Sequence, residues 1–246
     1  MDKTADTANV IEFQGVWKNY GEYAALKDIS FAVRKGEFIT VIGSSGCGKT
    51  TMLKLINGLL APNRGTVYIN NEDIAQVNQI ELRRKIGYVI QGVGLFSHLS
   101  VKKNIEFIPN ILKYEQKKTA SITQELIRTV GLEENMLERY PSELSGGQRQ
   151  RVGVARALAA SPDILLMDEP FGALDEITRI KLQDELLKIH KKLHITIFFI
   201  THDLREATKL GDRVFIMRQG EIAASGPPRE VLANYHNAEI GIFPPQ

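Results

Sequence analysis

Alternating apolar and polar residues mark the first part of the chain as a series of strands. Two long stretches near the N-terminus are rich in β-branched and aromatic residues and predict strands joined by turns: "NVIEFQGVWKNY" and "ALKDISFAVRKGEFITVIG". The spacing then changes to that of a helix in "KTTMLKLINGLL", which stops at the breaker "APNRG". A further strand and turn are predicted in "GTVYINNEDI", and "ELRRKIGYVIQ" predicts a short helix leading into a strand that ends near Gln91.

The middle of the chain, residues 92–158, has a different pattern. Its apolar residues recur at helical spacing in "SVKKNIEFIPNILKY", "ASITQELIRTVGL" and "GGQRQRVGVARALAA". No strand pattern stands out between them. We therefore predict a helical subdomain inserted into the strand-containing part of the chain.

From residue 159 onward, strand and helix patterns alternate again. Strands are predicted in "DILLMDEP" and "ITIFFITH", helices in "EITRIKLQDELLKIHKKL", "DLREATKLG" and "PPREVLANY", and a hairpin in "RVFIMRQGEIAASG". Such alternation is typical of a mostly parallel sheet covered by helices. The prediction is one α/β domain over residues 1–246, with its core in 1–91 and 159–246.

Composition narrows the class of protein only a little. The chain has 246 residues, 43% of them hydrophobic and 24% charged, which is ordinary for a globular domain. Its net charge of +2 gives no reason to expect nucleic acid as a partner. Cys47 is the only cysteine, so an internal disulfide is excluded and a reducing compartment is expected. Neither a signal sequence nor a run of about 20 apolar residues is present, so any work at a membrane requires docking to a protein that spans it.

The stretch "GSSGCGKTT", from Gly43 to Thr51, fits the pattern G-x-x-x-x-G-K-[ST] between an apolar strand and a helix. Its glycines allow successive backbone N–H groups to face phosphate oxygens. Lys49 would add a positive charge for the β- and γ-phosphates, and the Thr50 hydroxyl would ligate Mg²⁺. The alternative is a glycine-rich turn before a helix. Cys47 is interpreted as a small filler in this loop, with a reactive thiol as its alternative.

Polar residues follow three of the predicted strands. Asp168 and Glu169 come directly after "ILLM", and they suit a Mg²⁺ ligand and a group that accepts a proton from water. Gln91 suits a ligand for Mg²⁺ or water, and His202 suits a hydrogen bond to a γ-phosphate. Each has a structural alternative: an acidic turn, a polar strand end, and a hydrogen-bonded histidine at a strand-to-helix turn.

Tyr20 follows the first predicted strand and is placed in a turn. An aromatic ring there could stack on adenine, a contact of about 1–3 kcal/mol by analogy with base stacking on aromatic side chains. A tyrosine packed in the core is the alternative.

The stretch "LSGGQRQRVGVARAL", starting at Leu144, has a glycine pair and arginines where a loop opens a helix. That is a second candidate anion site on the same chain, because helix N-termini and arginines attract anions.

Taken together and in this order, Tyr20, "GSSGCGKTT", Gln91, "LSGGQ", "ILLMDEP", "GALD" and His202 resemble the nucleotide-binding subunit of ATP-binding-cassette (ABC) transporters. The resemblance implies a RecA-like P-loop NTPase core with an N-terminal antiparallel β portion and a helical signature subdomain. It also implies a head-to-tail dimer, in which each ATP lies between the P-loop of one subunit and the signature loop of the other. Asp175 of "GALD" would lie at the same interface.

The resemblance assigns three groups of residues. ATP would be bound by Tyr20, Gly43, Ser44, Ser45, Gly46, Cys47, Gly48, Lys49, Thr50, Thr51, Ser145, Gly146, Gly147 and Gln148. Mg²⁺ would be bound by Thr50, Gln91 and Asp168, and the catalytic residues would be Glu169, His202 and Gln91.

The stretches around these motifs look most like those of the osmoprotectant importers, which take up glycine betaine, choline or carnitine. Gly92 departs from that group, where many members have a second glutamine. The resemblance implies transmembrane permease subunits, an extracytoplasmic solute-binding protein and a place at the cytoplasmic face of a bacterial cell membrane. The patch "GVGLFSHLS" is predicted to receive a short helix of the permease, and its alternative is packing within the helical insertion. Two functional alternatives stay open: a nitrate or sulfonate importer, and a soluble ABC ATPase of a non-transport assembly.

Overall fold

The computed structural model describes residues 8–92, 94–172 and 174–233. The strands are β1 (Asn9–Tyr20), β2 (Tyr23–Arg34), β3 (Phe38–Gly43), β4 (Arg64–Ile69), β5 (Glu72–Asp73), β6 (Ile86–Val89), β7 (Ile164–Asp168), β8 (Thr196–Ile200), β9 (Arg213–Arg218) and β10 (Glu221–Gly226). The helices are α1 (Lys49–Ile56), α2 (Gln79–Arg84), α3 (Val101–Ile111), α4 (Gln116–Thr129), α5 (Gly146–Leu158), α6 (Glu176–Leu193), α7 (Leu204–Leu210) and α8 (Pro228–Ala233). In the described ranges, none of these helices has the length and apolar character needed to cross a bilayer.

The elements form two compact units, with boundaries at residues 83/84 and 193/194. The first unit contains both ends of the described chain. Its antiparallel sheet has the order β2-β1-β4-β5, and its other strands have the order β10-β9-β3-β8. Strand β3 pairs in parallel with β8 on one side and with β9 on the other, while β10 returns antiparallel to β9. Both strand arrangements predicted for this part of the chain are therefore present.

Aromatic rings join the two sheets of the first unit. Phe31 on β2 stacks on Phe13 of β1 with ring centroids 4.6 Å apart, and it lies 5.0 Å from the ring of Phe215 on β9. Phe13 and Phe215 are fully buried. Aromatic side chains bury large apolar areas, so these contacts anchor the antiparallel sheet against the parallel strands. The six residues of β3 are all buried, which explains their continuous apolar pattern.

The second unit contains β6, β7 and four of the long helices. Strands β6 and β7 pair in parallel, from Ile86 opposite Ile164 to Val89 opposite Met167. Helix α5 packs closely on β6 because Gly87 has no side chain: a Cβ there would lie 2.6 Å from the Ala157 carbonyl oxygen. Residues 94–158 contain helices and no strand, in agreement with the sequence pattern.

The boundaries of the second unit differ from those of the predicted subdomain at 92–158. One cause is Arg151 on α5, whose guanidinium donates to the carbonyls of Val130 and Gly131, each at 3.0 Å, and to Glu185 of α6 at 2.9 Å. These bonds attach α6 to the helices that precede it. The subdomain at 92–158 stays a prediction.

Two sequence expectations differ slightly from the structure. The strand expected to end near Gln91 ends at Val89, where its pairing with β7 also ends. Tyr20 is the last residue of β1 instead of a turn residue, because it pairs with Tyr23 across the hairpin. The end of the last predicted helix, "NY", lies outside the described residues.

Candidate nucleotide-binding site

The P-loop connects the buried strand β3 to helix α1 in the first unit. Its glycines have backbone angles that other residues adopt with strain, with φ of 78° at Gly46 and 110° at Gly48. At Gly48 a Cβ would also lie 2.5 Å from the Ala25 carbonyl oxygen, so the loop requires glycine there. Because Gly48 is the N-cap of α1, no side chain occupies the first N–H groups of that helix.

Lys49 lies inside this loop and is 7% exposed. Its Nζ donates to the carbonyls of Gly43 at 2.8 Å and Ser44 at 3.0 Å. The Cys47 N–H donates to the same Ser44 carbonyl at 3.3 Å. A charged donor and a backbone donor therefore converge on one point within the loop, an arrangement suited to a phosphate oxygen.

Cys47 is 3% exposed, and burial raises the pKa of its thiol although the charge of Lys49 opposes that effect. A raised pKa keeps the thiol neutral at physiological pH, and the thiolate is the reactive form. Both observations favour the filler interpretation over the reactive thiol.

The predicted adenine-stacking residue, Tyr20, is 48% exposed and is not a core tyrosine. The ammonium of Lys18 lies 5.8 Å from the centroid of its ring. Across the hairpin, Tyr23 donates its hydroxyl to the Gly46 carbonyl in the P-loop at 3.0 Å. The hairpin that holds Tyr20 is thus bonded to the candidate phosphate site.

His202 is exposed and lies in the turn between β8 and α7. The turn is held by Thr201, whose hydroxyl donates to the buried Glu206 at 2.5 Å and accepts the Asp203 N–H at 3.0 Å. Asp203 in turn caps α7 by accepting the Arg205 N–H at 2.7 Å. These bonds fix the backbone on both sides of His202 and leave its ring at the surface.

In the second unit, β7 brings Asp168 and Glu169 to its carboxyl end. Asp168 is 5% exposed, and Glu169 has the left-handed φ of 45°. Gln91 donates its side-chain N–H to the Glu169 carboxylate at 3.4 Å. The structure therefore brings together two of the predicted catalytic residues. Close by, burial and the charge of Asp168 raise the pKa of Tyr88 to about 12, which keeps that phenol protonated.

The signature loop of the second unit ends in a capping box. The Ser145 hydroxyl accepts the Gln148 N–H at 3.3 Å, and the Gln148 side chain accepts the Ser145 N–H at 2.8 Å. Gly147 allows α5 to approach α6, because a Cβ there would lie 2.6 Å from the Thr178 methyl group. Beside it, the Thr178 N–H donates to Asp175 at 2.9 Å, and that hydrogen bond lowers the pKa of the carboxyl.

The sequence matches the family described as ABC transporter over residues 26–172. The chain belongs to that family. It is 48% identical over 235 residues to the carnitine transport ATP-binding protein OpuCA of Listeria monocytogenes, a match covering 95% of this chain and 59% of that protein. It is 46% identical to the glycine betaine uptake system ATP-binding protein YehX of Escherichia coli, over 95% of this chain and 76% of that one. The predicted resemblance is confirmed.

Solved ABC structures have the same fold. The dimeric post-hydrolysis state of the ATP-binding cassette MJ0796 bound to ADP and Pi is 36% identical, with a TM-score of 0.80 over 89% of this chain and 99% of that one. CbiO1 of Clostridium perfringens, part of the transporter complex cbiONQ, is 29% identical, with a TM-score of 0.86 over 95% and 93% of the two chains. These similarities confirm the predicted fold class.

In the predicted docking patch of this ABC chain, the apolar residues Leu95, Phe96 and Leu99 are half-buried, whereas the other described residues are exposed except for the buried Ser100. Phe96 packs on Phe107 with centroids 4.5 Å apart, and Asn104 bonds both the N–H and the carbonyl of Phe96, at 2.9 and 3.1 Å. Arg156 donates to the Gly94 carbonyl at 2.8 Å. Val93 lies outside the described residues. Packing inside the helical unit thus accounts for Phe96, and docking to a permease stays a prediction.

Sequence reasoning missed Tyr23 and Tyr88. Tyr23 has a signal in the sequence, since it faces Tyr20 across a two-residue turn that Gly21 favours through its φ of 59°. Tyr88 has none, because its proximity to Asp168 depends on the pairing of β6 with β7.

Proposed function

We propose that this chain binds and hydrolyses ATP as the nucleotide-binding subunit of a membrane importer. The observation that carries the proposal is a P-loop with a buried lysine on the same chain as an LSGGQ loop that opens a helix. A P-loop alone occurs in many nucleotide-binding proteins, whereas the second loop is of use only where two subunits enclose the nucleotide.

In the first unit, the proposed roles rest on the hydrogen-bond donors of the P-loop and on the exposed ring of Tyr20. Tyr20 stacks on adenine, and the backbone of Gly43 to Thr51 with Lys49 binds the phosphates. Lys49 exchanges the carbonyls of the loop for phosphate oxygens, and these charge-assisted hydrogen bonds favour the triphosphate. His202 hydrogen-bonds the γ-phosphate and responds to its loss.

In the second unit, Glu169 is the proposed proton acceptor for the attacking water, and Gln91 positions that water through its bond to Glu169. We assign Mg²⁺ to Thr50, Gln91 and Asp168, whose oxygens are the ligands that this ion prefers. When bound, the ion would neutralise phosphate charge.

Ser145, Gly146, Gly147 and Gln148 are proposed to hold the γ-phosphate of the nucleotide on a second subunit. ATP would then stabilise the closed dimer by its difference in affinity between the closed and open forms, and hydrolysis would remove that difference. The dimeric structure of MJ0796 supports this arrangement by analogy.

The proposed cargo is a quaternary ammonium osmoprotectant such as glycine betaine, choline or carnitine. The names of OpuCA and YehX support this class of solute. The proposal includes transmembrane permease subunits, a patch at "GVGLFSHLS" for one of them, and an extracytoplasmic solute-binding protein. The chain would then work at the cytoplasmic face of a bacterial cell membrane, without nucleic acid.

The first experiment measures dimerisation of the Glu169→Gln variant by light scattering with ATP and Mg²⁺. We expect a stable dimer and ATP turnover reduced by about 100-fold or more, because general-base catalysis contributes about 10²–10⁴-fold. Adding Ser145→Arg should abolish the dimer while the monomer still binds ATP. The exposed Glu221 supplies a matched control, since Glu221→Gln should turn over normally.

A Glu169→Gln variant with normal turnover would contradict the base assignment. A dimer that persists with Ser145→Arg would contradict the shared site. The solute is tested by co-expressing the chain with the permease and binding-protein genes beside its own in cells that lack osmoprotectant importers. Uptake of radiolabelled glycine betaine, choline or carnitine should then appear and should be lost in Lys49→Ala.

A further inference from the structure

We propose that Tyr23 is a positioning residue that holds the P-loop in its phosphate-binding shape through its hydroxyl group; this inference rests on the proposed nucleotide-binding function. The hydroxyl donates to the Gly46 carbonyl at 3.0 Å. The ring is 58% exposed, so the burial of an apolar side chain does not account for a tyrosine at this position.

The hairpin determines where this hydroxyl lies. Tyr20 ends β1 and Tyr23 begins β2, and the two residues are directly opposite in the antiparallel register. Opposite residues project their side chains to the same face of the sheet. The adenine-stacking residue and the hydroxyl that contacts the P-loop therefore share one face of one hairpin end.

A second bond holds the next peptide of the loop. The Cys47 carbonyl accepts the Gly220 N–H at 3.1 Å, and the Gly220 carbonyl accepts the Lys27 N–H at 2.8 Å. Gly220 lies in the turn between β9 and β10 and has a φ of 87°. Strand β2 thus restrains two successive carbonyls of the P-loop, directly at Gly46 and through the β9–β10 turn at Cys47.

The bond from Tyr23 sets the direction of a backbone donor in the P-loop. In a planar trans peptide, the carbonyl of one residue points opposite to the N–H of the next, and no described peptide bond is cis. A Gly46 carbonyl held towards Tyr23 therefore directs the Cys47 N–H away from Tyr23. That N–H meets the Ser44 carbonyl, the same acceptor that Lys49 contacts.

Gly46 needs this restraint more than most residues would. Glycine has the widest range of backbone conformations, and the space beside Gly46 is open, since a Cβ there would meet no atom within 4 Å. A loop that samples other conformations binds phosphate with an affinity reduced by the fraction of time spent in them.

The test compares Tyr23→Phe with wild type by calorimetric titration of Mg-ATP and of inorganic tripolyphosphate, which has no base. We expect both ligands to bind about threefold to tenfold more weakly, the range for loss of one ordinary hydrogen bond. The KM for ATP should rise by the same factor with kcat unchanged within about twofold. The melting temperature of the ligand-free variant should stay within about 2 °C of wild type, because water can replace the hydroxyl at an exposed carbonyl.

Tyr68→Phe is the matched control. Tyr68 lies on β4, two strands from β2 in the same sheet, and loss of its hydroxyl should change neither affinity. Equal affinities for wild type and Tyr23→Phe would overturn the inference and leave the proposed function intact. Weaker binding of ATP alone would also overturn it, since Tyr23 would then contact the base. Wild-type protein that binds neither ligand would overturn the proposed function and this inference with it.

Discussion

The P-loop and the signature loop are both glycine-rich turns that open a helix, yet only the signature loop caps its helix with a side chain. The N-cap of α1 is Gly48, in the left-handed conformation and without a side chain, so no capping side chain occupies the first backbone donors of the helix. The N-cap of α5 is Ser145, whose capping box with Gln148 uses two of these donors internally. The difference is that a phosphate at α1 has no side-chain cap to displace, whereas a phosphate at α5 must displace the capping box.

Under the proposed function, the P-loop is an anion site within one subunit and the signature loop is an anion site that is used only in the dimer. A phosphate at the P-loop gains the charge of Lys49 and competes with the bonds that Lys49 and the Cys47 N–H make to carbonyls of the loop. A phosphate at the signature loop must compete with the Ser145–Gln148 pair. The proposed dimer requires this second site to be weak by itself, because a strong second site would bind nucleotide on an isolated subunit.

The largest expected effect is a loss of ATP affinity caused by a substitution in the P-loop. Lys49→Ala should weaken ATP binding by about 10- to 100-fold, the range for hydrogen bonds to a charged group. Fluorescence or calorimetric titration measures the change. Lys54→Ala, in the last turn of the same helix, should bind ATP like wild type. Unchanged affinity in Lys49→Ala would contradict the P-loop assignment and remove the contrast.

An intermediate effect is expected on the free energy of unfolding, and it should differ between the two glycines of the signature loop. Gly147→Ala should lower the free energy of unfolding by about 1–3 kcal/mol, because its Cβ would lie 2.6 Å from the Thr178 methyl group. Gly146→Ala, whose nearest atom on Leu174 is 3.6 Å away, should be neutral or more stable by up to about 1 kcal/mol. Urea unfolding measures both.

Rescue tests the physical cause of that effect. Thr178→Ser removes the methyl group and keeps the residue's backbone N–H bond to Asp175, so the double variant with Gly147→Ala should recover most of the lost stability. Equal unfolding free energies for the two single alanine variants would show that the close packing of α5 on α6 does not limit residue 147.

The smallest expected effect is a change in the free energy of unfolding when the serines of the two loops are replaced. It tests whether a side chain caps α5 but not α1. Ser145→Ala should lower the free energy of unfolding by about 1 kcal/mol, because α5 loses the acceptor for the Gln148 N–H. Ser45→Ala in the P-loop should change it by less than about 0.5 kcal/mol, since α1 has no side-chain cap. Chemical denaturation gives both values. A larger loss for Ser45→Ala would reverse the comparison between the loops.

Local motifs were the most predictable parts of this protein. The P-loop motif is a run of nine residues, from the last residue of β3 to the first turn of α1, so residue types at fixed spacing determine its glycine conformations and the position of Lys49. The capping box likewise spans Ser145 to Gln148, within one turn of helix. The alternation of strand and helix patterns predicted the α/β fold for the same reason, because periodicity is a property of neighbouring residues.

The contacts that complete each half of the candidate site depended on the tertiary structure. Gln91 reaches Glu169 across 78 residues of sequence, and Tyr23 reaches the P-loop across 23 residues. The bond from Arg151 to Glu185, which joins α5 to α6, is a similar case. The spacing of residues along the sequence determines local conformation. These contacts depend instead on which strands pair and which helix faces meet, and the packing of the whole unit determines both.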